Sequence, residues 1–208
     1  MESRSSEGGL SSGVPMKELM RELRISLTAT LLLAVILCGV YPMIVWVIAQ
    51  GLFPARANGS LIVKNGKTLG SSLIGQGFTG PKYFHLRPSA AGRGYDAASS
   101  GGSNLGPVSR KFVDEVGKRI IEYRTENDLA ADERAPVDAV TASASGLDPH
   151  ITVRNAVLQA KRVAKARGMG VEAVMRKIEA HTEKRTFGIL GEQRVNASML
   201  NLDLDGRL

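Results

Sequence analysis

Gly75-Gln-Gly77-Phe-Thr-Gly80 has the glycine spacing of a dinucleotide-binding fingerprint. That chemistry needs a helix directly afterwards, because the pyrophosphate rests on backbone N–H groups at a helix N-terminus. Pro81 and then Tyr83-Phe-His-Leu-Arg-Pro88 follow instead, an extended pattern, so the segment reads as a loop. Gly66-Lys67-Thr68 imitates the end of a phosphate-binding P-loop, but the glycine required five positions earlier is Leu61. Gly9-Leu-Ser11-Ser-Gly13 fits a nucleophile elbow, yet no strand precedes it. His85, His150 and His181 are too scattered to suggest a histidine metal site, and the single cysteine, Cys38, lies in an uncharged run. The rest of the chain therefore has no thiolate ligand, cysteine nucleophile or internal disulfide.

Two polar loops stand out: Ser99 to Pro107, with Ser103 and Asn104, and Thr141 to Ile151, with Asp148 and His150. Each ends where a helix is expected. Their backbone donors could face an anion or a partner, or could simply complete helix starts. From Arg154 to Arg185 there are nine basic and three acidic residues. Lys161, Arg162, Lys165 and Arg167 fall on the polar side of an amphipathic helix and read as a solvated face. Aromatics make up only 5% of the chain, which leaves no stacking platform and no case for a nucleic-acid partner.

The elements that must carry these residues follow from where charge lies. Residues 1–24 hold four basic and four acidic groups, Ile25 to Ala55 holds none, and the whole +7 excess falls after it. Ile25–Ile48 would form a helix about 36 Å long, enough to cross a hydrocarbon core of about 30 Å. Thirteen of its 24 residues are Leu, Ile or Val. Ala55-Arg-Ala57 resembles a signal-peptide cleavage site, but the apolar run is far longer than a signal core. The expectation is one transmembrane anchor over 17–50, a disordered tail over 1–16, and a single mixed α/β domain over 56–208. The N-terminus is expected in the cytoplasm and the domain outside it, in the extracytoplasmic space, with the chain crossing the inner membrane once.

Within the anchor, Ser26, Thr30, Ala34 and Cys38 recur every four residues and Pro42 follows. Small side chains on one face let another helix approach closely, and proline kinks or weakens the helix. In the domain, Asn65-Gly66 between Ser60–Lys64 and Lys67–Leu69 predicts a hairpin, and Gly66–Gly106, with ten glycines, predicts loop. Helices are expected from Pro107, with an apolar face through Phe112, Val116 and Ile120, from Thr152 to Gly168, and over Val171–Glu183. Pro136–Ser145 reads as a strand or connector, and Val195–Leu204 as a strand or short helix.

The chain resembles the C subunit (KdpC) family of the bacterial Kdp potassium-transporting ATPase. The pieces that carry the resemblance run in order from Tyr83-Phe-His-Leu-Arg-Pro-Ser-Ala90 through Ser100-Gly-Gly-Ser-Asn-Leu-Gly-Pro107 and Thr141-Ala-Ser-Ala-Ser-Gly-Leu-Asp-Pro-His-Ile151. Arg162-Val-Ala-Lys-Ala-Arg-Gly168, His181-Thr-Glu183, Arg194-Val-Asn196 and Leu200-Asn-Leu202 complete them. The resemblance implies an accessory subunit of an ATP-driven potassium uptake complex, without catalytic residues of its own. Its implied partners are a potassium-channel-like subunit, a P-type ATPase subunit and a small single-helix subunit. It also implies either of two roles. In one, a catalytic chaperone raises the pump subunit's ATP affinity, with Gln159 matching a nucleotide-contacting glutamine; ATP then enters only through the pump subunit, and no cofactor is firmly expected. In the other, an external cap stabilises the channel-like subunit. The two roles need opposite placements of residues 56–208. Composition alone leaves a second class, a membrane-anchored extracytoplasmic enzyme or binding domain working by itself.

Overall fold

The structure, a computed structural model, describes residues 15–208. The tail expected over 1–16 lies outside the described residues except at its end, where Met16 is already helical. Two compact units divide the chain after Asn58.

The first unit is a helix running unbroken from Met16 to Leu52. It comprises α1 (Met16–Ala34), a π-helical segment (Val35–Val40) and α2 (Tyr41–Leu52), followed by a short turn, α3 (Pro54–Ala57). Thirty-seven residues span about 56 Å, so the charged turns from Lys17 to Arg24 extend the helix beyond the apolar stretch. Pro42 cannot donate a backbone bond, and its ring crowds the carbonyl four residues back. The helix absorbs this by widening one turn ahead of it, where the Tyr41 N–H reaches Ile36 O, five residues earlier.

The second unit begins with the expected hairpin of β1 (Leu61–Lys64) and β2 (Lys67–Ser71). Asn65 and Gly66 both adopt left-handed backbone angles, with φ of 52° and 72°, as a two-residue turn of this hand requires. Loop then runs to α4 (Arg110–Glu126), which starts after the expected Pro107 because residues 106–109 close a turn first, Ser109 N donating to Gly106 O at 3.0 Å. Residues Val137–Val140 form one helical turn, α5, within the expected connector. After it come β3 (His150–Thr152), α6 (Val153–Arg167), α7 (Val171–Ala180), β4 (Thr182–Glu183), β5 (Arg194–Asn196) and α8 (Ala197–Leu204). α7 stops short of the expected Glu183 because Thr182 and Glu183 pair with β5. The tail is both of its alternatives in turn, a strand and then a helix.

Strands β3, β5 and β4 form an antiparallel sheet in that order. α6 supplies Ala156, Ala160, Val163 and Ala164 to the core, where they meet Ile151, Val174, Ile178, Val195, Leu200 and the loop residue Phe84. Thr152 caps α6 by accepting from Asn155 N, and Gly168, at φ 63°, ends it. The apolar face of α4 is less buried than its spacing suggests: Tyr123 is its one fully buried residue, and Val113 and Ile121 are exposed.

Candidate functional site

α6 presents Asn155, Gln159 and Arg162 at spacings of four and three, so their side chains stack on one face. All three are buried, and Gln159 is 1% exposed. The Gln159 amide group donates to His85 O (3.0 Å) and Asn155 Oδ1 (2.8 Å), and its oxygen accepts from His85 N (2.7 Å) and Arg162 Nη2 (2.8 Å). A carboxamide has two donor hydrogens and two acceptor lone pairs, so every one is in use. Gln159 is thus an interior residue rather than one on the helix surface.

Arg162 goes on to donate to Asn127 Oδ1 (2.9 Å) and to the carbonyls of Pro81 (2.7 Å) and Tyr83 (3.0 Å). Burial lowers the pKa of Arg162, against the opposing pull of Glu126. Asn201 of α8 does for Phe84 what Gln159 does for His85, meeting its N–H and C=O at 2.8 Å each. Arg167 Nε holds Lys82 O at 2.7 Å and pairs with Asp205 at 2.9 Å. Residues 81–85 form no strand where an extended piece was expected from Tyr83: a turn comes first, Tyr83 N donating to Gly80 O at 3.3 Å. No strand lies beside them among the described residues, so amide and guanidinium side chains take the place of a ladder. This corrects the reading of the basic helix. Lys161 and Lys165 are exposed, whereas Arg162 and Arg167 face inward, because the carbonyls of 81–83 need donors.

Asp148 and His150 come together in a second network. His150 N donates to Asp148 Oδ1 (3.0 Å), and its ring nitrogens lie 3.4 Å from Asp148 and 3.2 Å from Glu183. Arg87 and Arg194 close the two ends, at 3.4 Å from Asp148 and 2.7 Å from Glu183. Burial opposes charge on His150, but hydrogen bonds to Asp148 and Glu183 outweigh it and raise its pKa. Burial likewise works against the Asp148 and Glu183 carboxylates, and His150 with the flanking arginines brings both below their ordinary values. The other histidines are apart, His85 beside Glu126 at 3.1 Å and His181 beside Asp203 at 3.0 Å.

The two polar loops lie side by side. Gly101 N and Ser100 Oγ both donate to Ser145 O, at 3.0 and 2.9 Å. Gly146, at φ 67°, brings its backbone so near Ala91 and Gly101 that a Cβ would clash at 2.6 Å. Ser103 and Asn104 project from this junction and are exposed, with Asn104 left-handed at φ 51°. A cavity of about 310 Å³ opens elsewhere, between Gln159, Tyr123, Arg119, Arg87, Tyr95 and Phe78. Arg87 Nε is buried with no partner among the described residues.

Along the first unit, Ala34 and Cys38 share a shallow apolar groove with Gly39, Leu31, Met43 and Ile44. Ser26 and Thr30 lie outside its lining, and so does Pro42, whose effect is the widened turn that carries Cys38 and Gly39. Gly39 escapes a search for four-residue spacing. An isolated glycine in an apolar helix is its only signal, since no side chain there fills the groove.

A single long apolar helix, a candidate membrane span, followed by a mixed α/β domain with interior polar networks defines the class of single-span membrane proteins with one folded domain. Residues 23–206 match the family described as K+-transporting ATPase, c chain. The chain is 53% identical over 185 residues to the potassium-transporting ATPase KdpC subunit of Mycobacterium tuberculosis, covering 89% of this chain and 98% of that one. Similar proteins of the same name occur in Nitratidesulfovibrio vulgaris (52% identical, 88% and 92% covered) and Koribacter versatilis (50%, 87% and 92%). The chain belongs to the KdpC family.

Proposed function

We propose that this chain is a non-catalytic accessory subunit of an ATP-driven potassium transporter and works as an extracytoplasmic cap that stabilises the assembly. Its helix crosses the inner membrane once with the N-terminus in the cytoplasm. It associates there with the channel-like, P-type ATPase and small single-helix subunits. Family membership favours this over a domain working alone. The observation that favours a cap over direct nucleotide contact is the saturation of Gln159, which has no donor or acceptor left to offer. A nucleotide could engage it only by displacing His85, Asn155 or Arg162.

One observation speaks for the chaperone reading: the cavity beside Gln159 is lined by Arg87 and Arg119, and Arg87 Nε has no partner among the described residues. Its volume of about 310 Å³ is at the small end of ligand sites, enough for part of a nucleotide. Protease accessibility of residues 56–208 in intact and lysed spheroplasts separates the readings. Digestion in intact cells is the result expected for the cap. Protection until lysis overturns it and makes the cavity the leading nucleotide site.

A further inference from the structure

We propose that the hairpin tip Thr186–Leu190 is a membrane-contacting finger that inserts Phe187, Ile189 and Leu190 into the interfacial region of a phospholipid bilayer. These residues stand 88%, 75% and 58% exposed, on a segment that is neither part of the core nor covered by another element among the described residues. No polar side chain interrupts the run from Phe187 to Gly191. Phe187 and Gly188 are both left-handed, with φ of 55° and 77°. Phenylalanine rarely adopts that conformation, and here it is held on the outer bend of the turn.

Three features favour lipid over a protein groove. First, the tip satisfies much of its own backbone. Thr186 N and Leu190 N exchange bonds with the opposite carbonyls at 2.9 and 3.0 Å, Gly188 N reaches Arg185 O at 3.0 Å, and Ile189 N reaches Thr186 O at 3.3 Å. Apolar surroundings penalise open backbone donors, and these four are closed before insertion. Second, Lys184 and Arg185 precede the apolar tip and Arg194 follows it. Glu192 pairs with Arg185 at 2.6 Å and Glu183 with Arg194 at 2.7 Å, so Lys184 is the cation with no acidic partner among the described residues, placed to meet a headgroup phosphate while the apolar residues enter beneath it. Third, the bilayer is never far. Six residues lie between the end of the apolar helix at Leu52 and Gly59, a tether of at most about 25 Å over seven peptide steps, so contact is an intramolecular event at high effective concentration. The proposal holds whichever side of the membrane the domain occupies.

The test uses the full-length chain, alone and in the assembled transporter, in nanodiscs of phosphatidylcholine and phosphatidylglycerol. In a Cys38→Ala background, Ile189→Cys carries an environment-sensitive fluorophore, and Asp132→Cys on an exposed turn serves as control. Quenching by lipids spin-labelled near the headgroup should be about threefold or more stronger at position 189 than at 132. It should fall to the control level with Phe187→Ser and Leu190→Ser, exposed changes that leave the melting temperature in place. Iodide quenching at 189 equal to that at 132 would overturn the proposal. So would shielding from both quenchers in the assembled transporter, which would seat the tip on a protein surface.

Discussion

Gln159 sits where an amphipathic helix would ordinarily place an apolar residue, and it is held there by four hydrogen bonds. Gln159→Ala would strand the His85 N–H and C=O in the interior. Each unsatisfied buried group costs about 1–3 kcal/mol, so the expected loss is about 2–4 kcal/mol. Urea unfolding of the full-length chain in detergent checks this; a loss below about 1 kcal/mol would show that the network is not structural. His150 gives a second prediction. Its raised pKa means that its ion pairs stabilise fully below its ordinary value of 6.5 and are lost as pH rises through the folded value. Asp148 and Glu183, depressed from 3.8 and 4.5, stabilise above those values and lose their contribution as pH falls. Stability from this network therefore peaks between about pH 4.5 and 6.5 and declines as pH rises above about 6.5. His150→Gln should flatten that decline in urea midpoints measured across the range; an unchanged slope would remove the network as its source. At this scale the sequence was only half legible. Asp148 and His150 could be picked out as a pair in one loop, but their partners Arg87 and Glu183 lie far along the chain. Asn155, Gln159 and Arg162 did leave a trace, three polar residues at helical spacing beside the apolar stripe of Ala156, Ala160 and Val163.

α6 is the element on which this depends, and Asp138 of α5 fixes where it begins. Asp138 accepts from Thr152 N (2.7 Å), Thr152 Oγ1 (3.0 Å) and Asn155 Nδ2 (3.0 Å), while Thr152 itself caps the helix. Asp138→Ala leaves the buried Asn155 amide short of a partner, while water can replace the bonds to the exposed Thr152. The expected cost is about 1–2 kcal/mol, similar to that of Thr152→Ala through loss of the cap. The two changes share a network, so the double variant should lose less than their sum, as a double-mutant cycle would measure. Simple additivity would separate the cap from the carboxylate. Helices, hairpin and caps were readable because their signals are local: Asn65-Gly66, Thr152, Gly168 and the apolar spacing of α6. The strands β3, β4 and β5 were harder, being three, two and three residues long and joined only through the fold. Residues 81–85 mislead for the same reason, since their partners Gln159 and Asn201 are side chains 74 and 117 residues away.

For the molecule as a whole, the helix must do more than anchor if this chain is a subunit. A lone anchor gains nothing from a groove, whereas a partner helix needs one, because in lipid helices associate through close packing rather than hydrophobic burial. The groove at Ala34, Cys38 and Gly39 lies on the widened turn before Pro42, so its shape depends on both the small residues and the proline. Gly39→Leu or Ala34→Leu fills it without adding charge, and the apolar run remains long enough to insert. Membrane levels of the chain should stay the same, while its co-purification with the other transporter subunits falls about tenfold, an association penalty of about 1.4 kcal/mol. Growth at limiting potassium should fail, and growth at high potassium should not. Pro42→Leu removes the cause of the widened turn and should weaken association as well, although it improves the helix itself. That pairing matters, because a more stable helix that assembles less well can be explained only by the shape of its surface. Undiminished co-purification with Gly39→Leu, Ala34→Leu and Pro42→Leu would leave the helix as a tether and shift the whole of partner recognition to the domain.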